Sequence, residues 1–525
     1  MLNMSLYRKA INILLYVIVL LPFILFLFLP LFYASFNISY IYIMNFFASS
    51  VKVELLTIAL KNSLIQAILS TAISIMIGFP VGILFGIYDF PGKKFAVSLS
   101  FLAFFMPSIL MVFGYIELFY SMKLYNFYGL WSIILVNVTF NAPVVAIFTS
   151  ASLDALPVEL IYSAKLLKAK WYKNLKDLYL PFSYRGLFLG ALITFLYSFM
   201  GFTAPLMIGG VRNYTLEVWI YSLFKTFLDY RGAIFLSIIQ IGILIIPAYL
   251  YFLLTETGSV VSERNLKKLR IEFSNFKNGA AVTAILSAYI IFISIPVYEL
   301  MYHSFLNGNQ LSYSMYIKLF QKSTEYHLDI SYTNVIINTL FFSSLSTIIT
   351  IALSLLIVYI GREKFWLRFS TVIPLIVSPI VLALSDYLFY LNLFINVWPI
   401  IVITQVVISL PITARIVDNG IKNIPDCYEN AAMLLNAKST EIFFRIKMPI
   451  MKYSLTMAAL ISFAMGMGNF ASTLFIYTPQ YTTIPISIYD FEQLKLYNLA
   501  YASSGILLII TFLSFYIIYN GENLW

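Results

Sequence analysis

The stretch PVELIYSAKLLKAKWYKNLKDLYLP, residues 157–181, occurs a second time as PDCYENAAMLLNAKSTEIFFRIKMP, residues 425–449. The two copies align without a gap at an offset of 268 residues. The identical pairs are Pro157/Pro425, Ala164/Ala432, Leu166/Leu434, Leu167/Leu435, Ala169/Ala437, Lys170/Lys438 and Pro181/Pro449. So many matches at one offset indicate an internal repeat, and the remaining sequence is arranged around these two copies, called here the first loop and the second loop.

The composition places the chain in a membrane. Of its 525 residues, 61% are hydrophobic and 11% are charged, and the mean hydropathy is +0.89. Soluble domains average about 25% charged residues. Apolar runs long enough to cross a hydrocarbon core of about 30 Å recur along the whole chain. They predict an all-α polytopic protein with about twelve transmembrane helices, near 10–34, 63–88, 95–119, 129–150, 187–209, 232–254, 279–302, 335–360, 366–391, 396–416, 454–477 and 498–519.

Lysine and arginine are distributed unevenly between alternate loops. If the N-terminus is cytoplasmic, 24 of the 33 basic residues fall on the cytoplasmic side. Because cytoplasmic loops are enriched in these residues, this orientation is favoured and both repeated loops lie in the cytoplasm. An even number of spans returns the C-terminus to the same side, so we predict a multi-pass cell-membrane protein with both termini cytoplasmic. The net charge of +10 is explained by these loops, and no nucleic-acid partner is expected.

The repeat extends beyond the two loops. ALITF at 191–195 matches ALISF at 459–463 at the same offset. Farther from the loops the offset drifts by a few residues, as the pairs Pro143/Pro411, Pro107/Pro379 and Asn62/Asn338 show. The loops between spans have therefore gained or lost residues while the order of the spans was kept.

A polar segment at 255–278 divides the chain into two transmembrane domains. We interpret it as a cytoplasmic linker between a first domain, 1–254, and a second domain, 279–525. Six spans in each tandem half give both halves the same orientation in the membrane. An axis along the membrane normal should therefore relate the halves.

Each repeated loop has the pattern of a short amphipathic helix between two prolines. A proline ahead of the helix suits its first turn, and the closing proline ends the segment before the next span. One interpretation is a helix that lies on the bilayer surface. A surface helix does not need the same spacing between prolines in two copies, so the repetition favours docking to a partner.

At these residues the sequence resembles the EAA loop of ABC-transporter inner-membrane permeases. The family pattern is Pro-x-Glu-x-x-Glu-Ala-Ala-x-x-Leu-Gly-Ala, with Leu-Pro before the next span, and its loop forms a coupling helix that docks into a groove of a cytoplasmic ATPase. The glutamate of the triplet is absent from both copies, and the family glycine is Lys168 in one and Asn436 in the other. The resemblance implies these coupling residues: Tyr162, Ser163, Ala164, Leu167, Lys168, Ala169, Asn430, Ala431, Ala432, Leu435, Asn436 and Ala437.

Two such halves in one chain resemble the importer permeases of the iron(III) and thiamine type. This resemblance implies two partners, a dimer of a cytoplasmic ABC ATPase and an extracellular substrate-binding protein. Iron(III), thiamine, a phosphonate, an oxyanion and a sugar all stay open as substrates. In the family the third and fifth spans of each half contribute to the path, which implies these path residues: Gly201, Phe202, Thr203, Pro205, Asn469, Phe470, Ser472 and Thr473.

Catalytic and metal-binding functions find little support in the sequence. The segment 86–94 approaches a phosphate-binding loop, but it has one residue too many and Lys94 in place of Ser or Thr. With one cysteine, Cys427, and two histidines, His303 and His327, neither a disulfide nor a metal cluster is expected, and no cofactor is expected on this chain. Nothing stands out as the nucleophile and base of an intramembrane enzyme.

A secondary transporter with twelve spans is the alternative to an ABC permease. Such transporters need intramembrane carboxylates or histidines to carry coupling protons. The candidates are Glu117 and Asp386, each toward the outer end of its span, and we interpret both as interfacial carboxylates.

The two loops differ at the position of the family glycine. Asn adopts a left-handed backbone readily, whereas Lys does so poorly. We therefore expect the first loop to form its turn differently, or to continue its helix by a residue or two. We also expect the second loop, with Asn436 and the small triplet residues Ala431 and Ala432, to couple more tightly to a partner.

Overall fold

The structure is a computed structural model that describes all residues except 1–20, 37, 125–126, 155, 211, 257–268, 271–275, 308–309, 322–329, 362–368, 392, 394–395 and 522–525. The first half contains α1 (Leu29–Phe36), α2 (Tyr40–Ala48), α3 (Ser50–Ile87), α4 (Lys93–Phe105), α5 (Ser108–Ser121), α6 (Leu130–Leu153), α7 (Val158–Leu166), α8 (Trp171–Asn174), α9 (Leu180–Phe199), α10 (Thr203–Ile208), α11 (Leu216–Lys225) and α12 (Tyr230–Glu256). The second half contains α13 (Phe276–Ser304), α14 (Ser314–Phe320), α15 (Tyr332–Gly361), α16 (Pro379–Leu391), α17 (Val397–Lys422), α18 (Asp426–Leu434), α19 (Ser439–Ile442), α20 (Met448–Ile450), α21 (Lys452–Met467), α22 (Ala471–Ile476), α23 (Ile484–Gln493) and α24 (Tyr497–Gly521).

Strand structure in the described part of the chain is limited to two short pairs. The strand β1 (Tyr88–Asp89) pairs in parallel with β2 (Leu269–Arg270). The strand β3 (Leu306–Asn307) pairs antiparallel with β4 (Gln310–Leu311). The fold is therefore all-α in its architecture.

Among the described residues, eight helices are long and apolar enough to cross a membrane, and three pairs of helices meet that test together across a sharp bend. Counting each bent pair as one span gives eleven. The shorter apolar helix α16 corresponds to the predicted span at 366–391. The prediction of an all-α polytopic membrane protein is confirmed. A helix corresponds to each of the twelve predicted spans, although only the part of the first span from Leu21 onward is described.

Three long helices form the centre of each half. In the first half α3, α6 and α9 pack against one another, and in the second half α15, α17 and α21 do the same. Gly78, Gly82 and Gly86 stand four residues apart on α3, and a Cβ atom added at Gly82 would lie 2.8 Å from Ala146 O of α6. Such small residues let two helix backbones approach closely where the surroundings are lipid.

The packing does not follow the order of the halves. One compact unit comprises Asn45–Ser222 and Gly242–Tyr313, and the other comprises Met1–Met44, Leu223–Ile241 and Ser314–Trp525. In the first of these units, α13 from the second half packs against α5. In the other unit, α1 from the first half packs against α16. The first helix of each half thus belongs to the unit built around the other half.

The contact between α5 and α13 depends on a glycine. A Cβ atom added at Gly114 would lie 2.1 Å from Pro296 O, so no other residue fits there without moving α13.

The division of the sequence at 255–278 describes the repeat and stays a prediction, as does the axis that relates the halves. Most of that segment lies outside the described residues.

The third span of the first half is bent, and the prediction of one continuous helix at 95–119 is wrong. The helices α4 and α5 meet at an angle of 99°, with the break at Met106 and Pro107. Met106 has an extended backbone, as expected of a residue that precedes proline. In the second half the predicted helix at 366–391 is likewise interrupted, because α16 begins only at Pro379 after a short 3₁₀ turn, Ile373–Leu375.

The fifth span of each half is broken as well, against the predicted helices at 187–209 and 454–477. The helix α9 ends at Phe199 and α10 begins at Thr203, while α21 ends at Met467 and α22 begins at Ala471. Pro205 lacks the N–H group that a continuous helix would need, and Gly201 and Gly468 are weak helix formers.

Candidate functional site

Each repeated loop folds into a short helix and a turn, followed by a helix that leads into the fifth span. The short helices are α7 and α18, and each begins one residue after a proline, Pro157 or Pro425. Proline suits this place because the first N–H groups of a helix have no partner within it. The predicted helices between the prolines are therefore confirmed in both loops.

The turns that end the two short helices have the same geometry. Lys168 and Asn436 both have a left-handed backbone, with φ of 48° and 57°. Ala169 N–H donates to Ala164 O at 3.0 Å, and Ala437 N–H donates to Ala432 O at 3.1 Å. This six-to-one hydrogen bond is the Schellman ending of a helix.

The expectation that the first loop forms its turn differently is wrong. A left-handed lysine costs about 1–2 kcal/mol, but the Schellman hydrogen bond offsets part of that cost. The side chain of Lys168 is also exposed, so it meets no obstacle in this conformation.

Two consecutive leucines stand at the tip of each loop, directly before the left-handed residue. Leu166 and Leu167 are 84% and 81% exposed, and Leu434 and Leu435 are 86% and 83% exposed. The equal geometry of the turns presents both pairs in the same way. An apolar pair exposed at equivalent places in two copies has the character of an interaction surface.

The other predicted coupling residues occupy different surroundings. Tyr162, Ser163, Asn430 and Ala431 are exposed, whereas Ala164, Ala169 and Ala437 are half-buried. Ala432 is only 5% exposed and therefore faces its own chain. The small residues of the triplet are thus not a uniform outward-facing surface.

Within each loop the short helix and the closing turn carry side chains at equivalent positions, 161 and 179 in one loop and 429 and 447 in the other. Ile161 and Tyr179 belong to a buried apolar cluster with Ile87 and Leu153. The corresponding positions of the second loop hold Glu429 and Lys447, whose Oε2 and Nζ atoms lie 2.7 Å apart.

A π-helical turn leads from each loop into the following span. It comprises Leu175–Tyr179 in the first copy and Phe443–Lys447 in the second, and these segments are equivalent at the offset of 268. Leu180 N–H donates to Leu175 O, and Met448 N–H donates to Phe443 O. The wider turn accommodates the proline that follows, Pro181 or Pro449, which cannot donate to the preceding turn.

The predicted path residues lie at the breaks of the fifth spans. Gly201 and Phe202 lie between α9 and α10, whereas Thr203 and Pro205 belong to the first turn of α10. Asn469 and Phe470 lie between α21 and α22, which contains Ser472 and Thr473. Their role in transport stays a prediction.

In the first half, the breaks of the third and fifth spans meet. Ser108 is the first residue of α5, and its Oγ lies 2.8 Å from Thr203 Oγ1 at the start of α10. In the second half α16 packs against α22. Each half therefore brings together the two spans that the resemblance assigns to the path.

The repeated pair Asn62/Asn338 has the same structural role in both halves. Asn62 Nδ2 donates to Arg212 O and Tyr214 O, at 3.3 and 3.1 Å. Asn338 Nδ2 donates to the equivalent Gln480 O and Thr482 O, both at 3.1 Å. These amides hold the segment that follows each broken fifth span.

The neighbouring hydroxyls complete this clamp. Ser63 Oγ accepts a hydrogen bond from Leu216 N at 2.9 Å, and Thr339 Oγ1 accepts one from Ile484 N at 2.8 Å. Leu216 and Ile484 are the first residues of α11 and α23. The identity of residues 62 and 338 in an otherwise variable span was the signal that pointed to these positions.

The interpretation of Glu117 and Asp386 as interfacial carboxylates is wrong. Glu117 is 7% exposed, and its Oε1 lies 3.1 Å from Nδ1 of His303 on α13. Asp386 is fully buried, and neither of its carboxyl oxygens has a hydrogen-bond partner. The exchanged first helices explain this burial, because α13 packs on α5 and α1 packs on α16.

No group of three or more potential metal ligands occurs among the described residues, and His327 lies outside them.

The sequence is similar to those of known transport proteins. Residues 78–254, which include the first loop and the broken fifth span, match the family described as binding-protein-dependent transport system inner membrane component. The chain is similar to the binding-protein-dependent permeases. It is the permease subunit of an ATP-binding-cassette importer, and such permeases are transport proteins, not enzymes.

Relatives of this permease transport several kinds of substrate. A thiamine transport system permease protein of Haemophilus influenzae is 23% identical over 488 residues, which cover 87% of each chain. A ferric transport system permease protein of Actinobacillus pleuropneumoniae is 22% identical over 75% of this chain and 59% of its own length. A spermidine/putrescine transport system permease protein of Escherichia coli is 26% identical over 167 residues, 32% of this chain and 62% of its own.

Proposed function

We propose that the first and second loops couple this permease to a dimer of a separate cytoplasmic ABC ATPase, while an extracellular binding protein delivers the substrate. The observation that carries the proposal is the leucine pair at the tip of each loop, with all four side chains more than 80% exposed. Burial of one leucine side chain contributes about 1.5–3 kcal/mol, so a partner that covers both pairs gains considerable affinity.

The test replaces each pair by aspartate. There are two double variants, Leu434→Asp with Leu435→Asp and Leu166→Asp with Leu167→Asp. Each should abolish co-purification of the ATPase in detergent. The matched control is Phe227→Asp with Leu228→Asp, because these adjacent residues are 67% and 63% exposed but lie outside the loops. Unchanged ATPase binding by both loop variants would contradict docking and favour a helix that lies on the bilayer.

The chain alone should neither bind nor hydrolyse ATP, because the segment 86–94 departs from a phosphate-binding loop. Magnesium-dependent hydrolysis that survives stringent purification and disappears on mutation of this chain would contradict this expectation. Substrate uptake that continues when the partner ATPase is inactivated would instead favour the secondary transporter.

We propose thiamine as the first substrate to test, because the thiamine permease relative matches over most of both chains. Ferric iron follows from the second relative. Phosphonates, oxyanions and sugars are the remaining alternatives from the resemblance. Uptake of labelled thiamine and of ferric iron should be compared in cells with and without this gene. A compound whose uptake is the same in both kinds of cell is excluded as the substrate.

The proposed orientation places both termini, the linker at 255–278 and both loops in the cytoplasm. Exposed Cys427 on the second loop provides an internal control, because it should react with an impermeant thiol reagent only from the cytoplasmic side. After its replacement, single cysteines at Ser262, which lies outside the described residues, and Ser314 should react from opposite sides. Reaction of both from one side would refute the twelve-span topology.

A further inference from the structure

One carbonyl oxygen at each fifth-span break accepts two hydrogen bonds. Gly201 N–H donates to Ser198 O, and Asn469 N–H donates to the equivalent Gly466 O, both at 3.2 Å. A glutamine side chain donates to the same oxygen in each half, Gln66 Nε2 to Ser198 O at 3.0 Å and Gln405 Nε2 to Gly466 O at 3.2 Å. This carbonyl oxygen therefore connects the first path residue of each break to a neighbouring helix.

The two glutamines come from different helices. Gln66 is on α3, and its counterpart on α15, at the offset of 276 that relates Asn62 to Asn338, is Phe342. Gln405 is on α17, and its counterpart on α6 is Asn137, whose Nδ2 is buried without a hydrogen-bond partner. A bond retained passively from duplication would use the same position in both halves. Instead, the equivalent carbonyl of each half accepts a hydrogen bond from a glutamine on a different helix, α3 in the first half and α17 in the second.

Stability alone does not account for these glutamines. Gln66 is fully buried and Gln405 is 3% exposed, and the Oε1 atom of each is buried without a hydrogen-bond partner. An unsatisfied buried oxygen costs about as much free energy as one hydrogen bond contributes. An apolar side chain of the same shape should therefore leave the stability nearly unchanged, while the position of the carbonyl would no longer be fixed.

We propose that Gln66 and Gln405 are positioning residues that fix the ends of α9 and α21 and so place the path segments at 201–205 and 469–473. The proposal rests on the proposed function, because the role of those segments in transport is itself part of it. Each glutamine acts through the backbone carbonyl and not on the substrate.

The arrangement assigns different mechanics to the two halves. In the first half Asn62, Ser63 and Gln66 lie on one helix, so α3 holds both ends of the segment between α9 and α11. In the second half two helices hold the segment between α21 and α23. The helix α15 holds the end next to α23 through Asn338 and Thr339, whereas α17 holds the end next to α21 through Gln405. A displacement of α15 relative to α17 thus deforms the second segment, while the first segment moves with α3 as one body.

The test begins with hydrogen exchange in the full-length chain, which needs no substrate. In Gln66→Met the amide of Gly201 should exchange about fivefold faster, and in Gln405→Met the same should hold for Asn469, the factor expected for loss of one hydrogen bond. The melting temperature should stay at the wild-type value. Ser70→Ala is the control, because Ser70 lies one turn further on α3 and is fully buried with an unpartnered Oγ.

A rescue variant separates positioning from simple packing. Gln66→Phe combined with Asn137→Gln gives the first half the arrangement of the second half, and slow exchange at Gly201 should return. In the complex purified with its ATPase and binding protein, thiamine or ferric iron transported per ATP should fall about fivefold in each methionine variant and recover in the rescue variant.

The possible outcomes distinguish this proposal from the proposed function. Unchanged exchange at Gly201 and Asn469 overturns the positioning role, whatever the complex transports. A melting temperature that falls in parallel with faster exchange, without recovery in the rescue variant, also overturns it in favour of a packing role. If exchange changes as expected but the wild-type complex transports neither probe, the positioning of the break stands and the proposed substrates fail.

Discussion

The two coupling loops end in the same turn but differ in chemistry at one pair of equivalent positions. At positions 161 and 179 the first loop has an isoleucine and a tyrosine, 6% and 9% exposed, within one apolar cluster. At the equivalent positions the second loop has Glu429 and Lys447, whose side chains are 27% and 14% exposed and form an ion pair. The repeat has therefore kept the shape of the loop and changed the chemistry at these two positions.

This difference has consequences for how the loops respond to their surroundings. Apolar burial is non-directional and does not depend on ionic strength in the physiological range. A partly exposed ion pair contributes at most about 1 kcal/mol and is screened by salt. The apolar contact at positions 161 and 179 should thus be insensitive to salt, whereas the ion pair within the second loop should weaken as the salt concentration rises. The second loop also keeps an apolar attachment, because Phe443 is buried in a cluster with Val358 and Val417.

The largest effect is expected from a charge placed in the triplet. Ala432→Arg should impair assembly and substrate-stimulated ATPase activity more than Ala164→Arg, because Ala432 is 5% exposed and an unpaired buried charge costs about 3–5 kcal/mol. The half-buried Ala164 leaves room for the arginine to reach water. Both activities should be measured in the reconstituted complex, with membrane insertion checked. Equal losses would remove the difference between the loops.

The next effect tests the apolar attachment. Ile161→Ala should destabilise the first loop locally by about 2–4 kcal/mol, the usual cost of this truncation in a packed core. Limited proteolysis within 157–181 and amide exchange in α7 measure the loosening. Leu160→Ala is the control, since Leu160 is 42% exposed on the same helix. Similar loosening in both variants would mean that the cluster around Ile161 does not hold the loop.

A smaller effect tests the ion pair. Lys447→Met should loosen the second loop by about 1 kcal/mol at low salt and by less at high salt, because salt already weakens the wild-type pair. Lys438→Met, an exposed lysine of the same loop, should change neither value. Proteolysis of 425–449 at two salt concentrations provides the measurement. A wild-type second loop that is insensitive to salt would contradict the comparison.

The smallest effect concerns the left-handed turns. Lys168→Gly should stabilise the first turn by roughly 0.5 kcal/mol, because glycine has no Cβ atom to crowd a left-handed backbone. Asn436→Gly should have less effect, since asparagine tolerates the conformation already. Amide exchange at Ala169 and Ala437 would detect the gain. A larger gain at Asn436 would reverse the ranking that the residue types predict.

The helices were predictable because lipid imposes long apolar runs on every span. The breaks in those runs were harder to predict. Pro107 and Pro379 were recognised as a repeated pair, but proline is tolerated within membrane helices, as Pro143 of α6 and Pro411 of α17 demonstrate. Only the packing around each proline decides whether the helix bends, and that packing involves residues distant in the sequence.

The loops were predictable in position but not in detail. The spacing of the prolines places the short helices, whereas the left-handed Lys168 contradicts residue preference because the Schellman hydrogen bond and free space around the side chain compensate. The clamps at Asn62 and Asn338 depend on contacts across about 150 residues of sequence, which no local pattern encodes. The burial of Asp386 likewise depends on a helix from the other half.

The exchange of first helices imposes an order on biosynthesis. The helix α5 leaves the ribosome roughly 180 residues before α13, which covers it in the finished protein, is complete. At about 5–20 residues per second this interval lasts about 10–40 s, during which the groove around Gly114 faces lipid or the insertion machinery. A polypeptide chain released before Ser304 would leave that groove open. The first half therefore cannot mature by itself during translation, and a chain cut in the linker would have to reassemble from two incomplete parts.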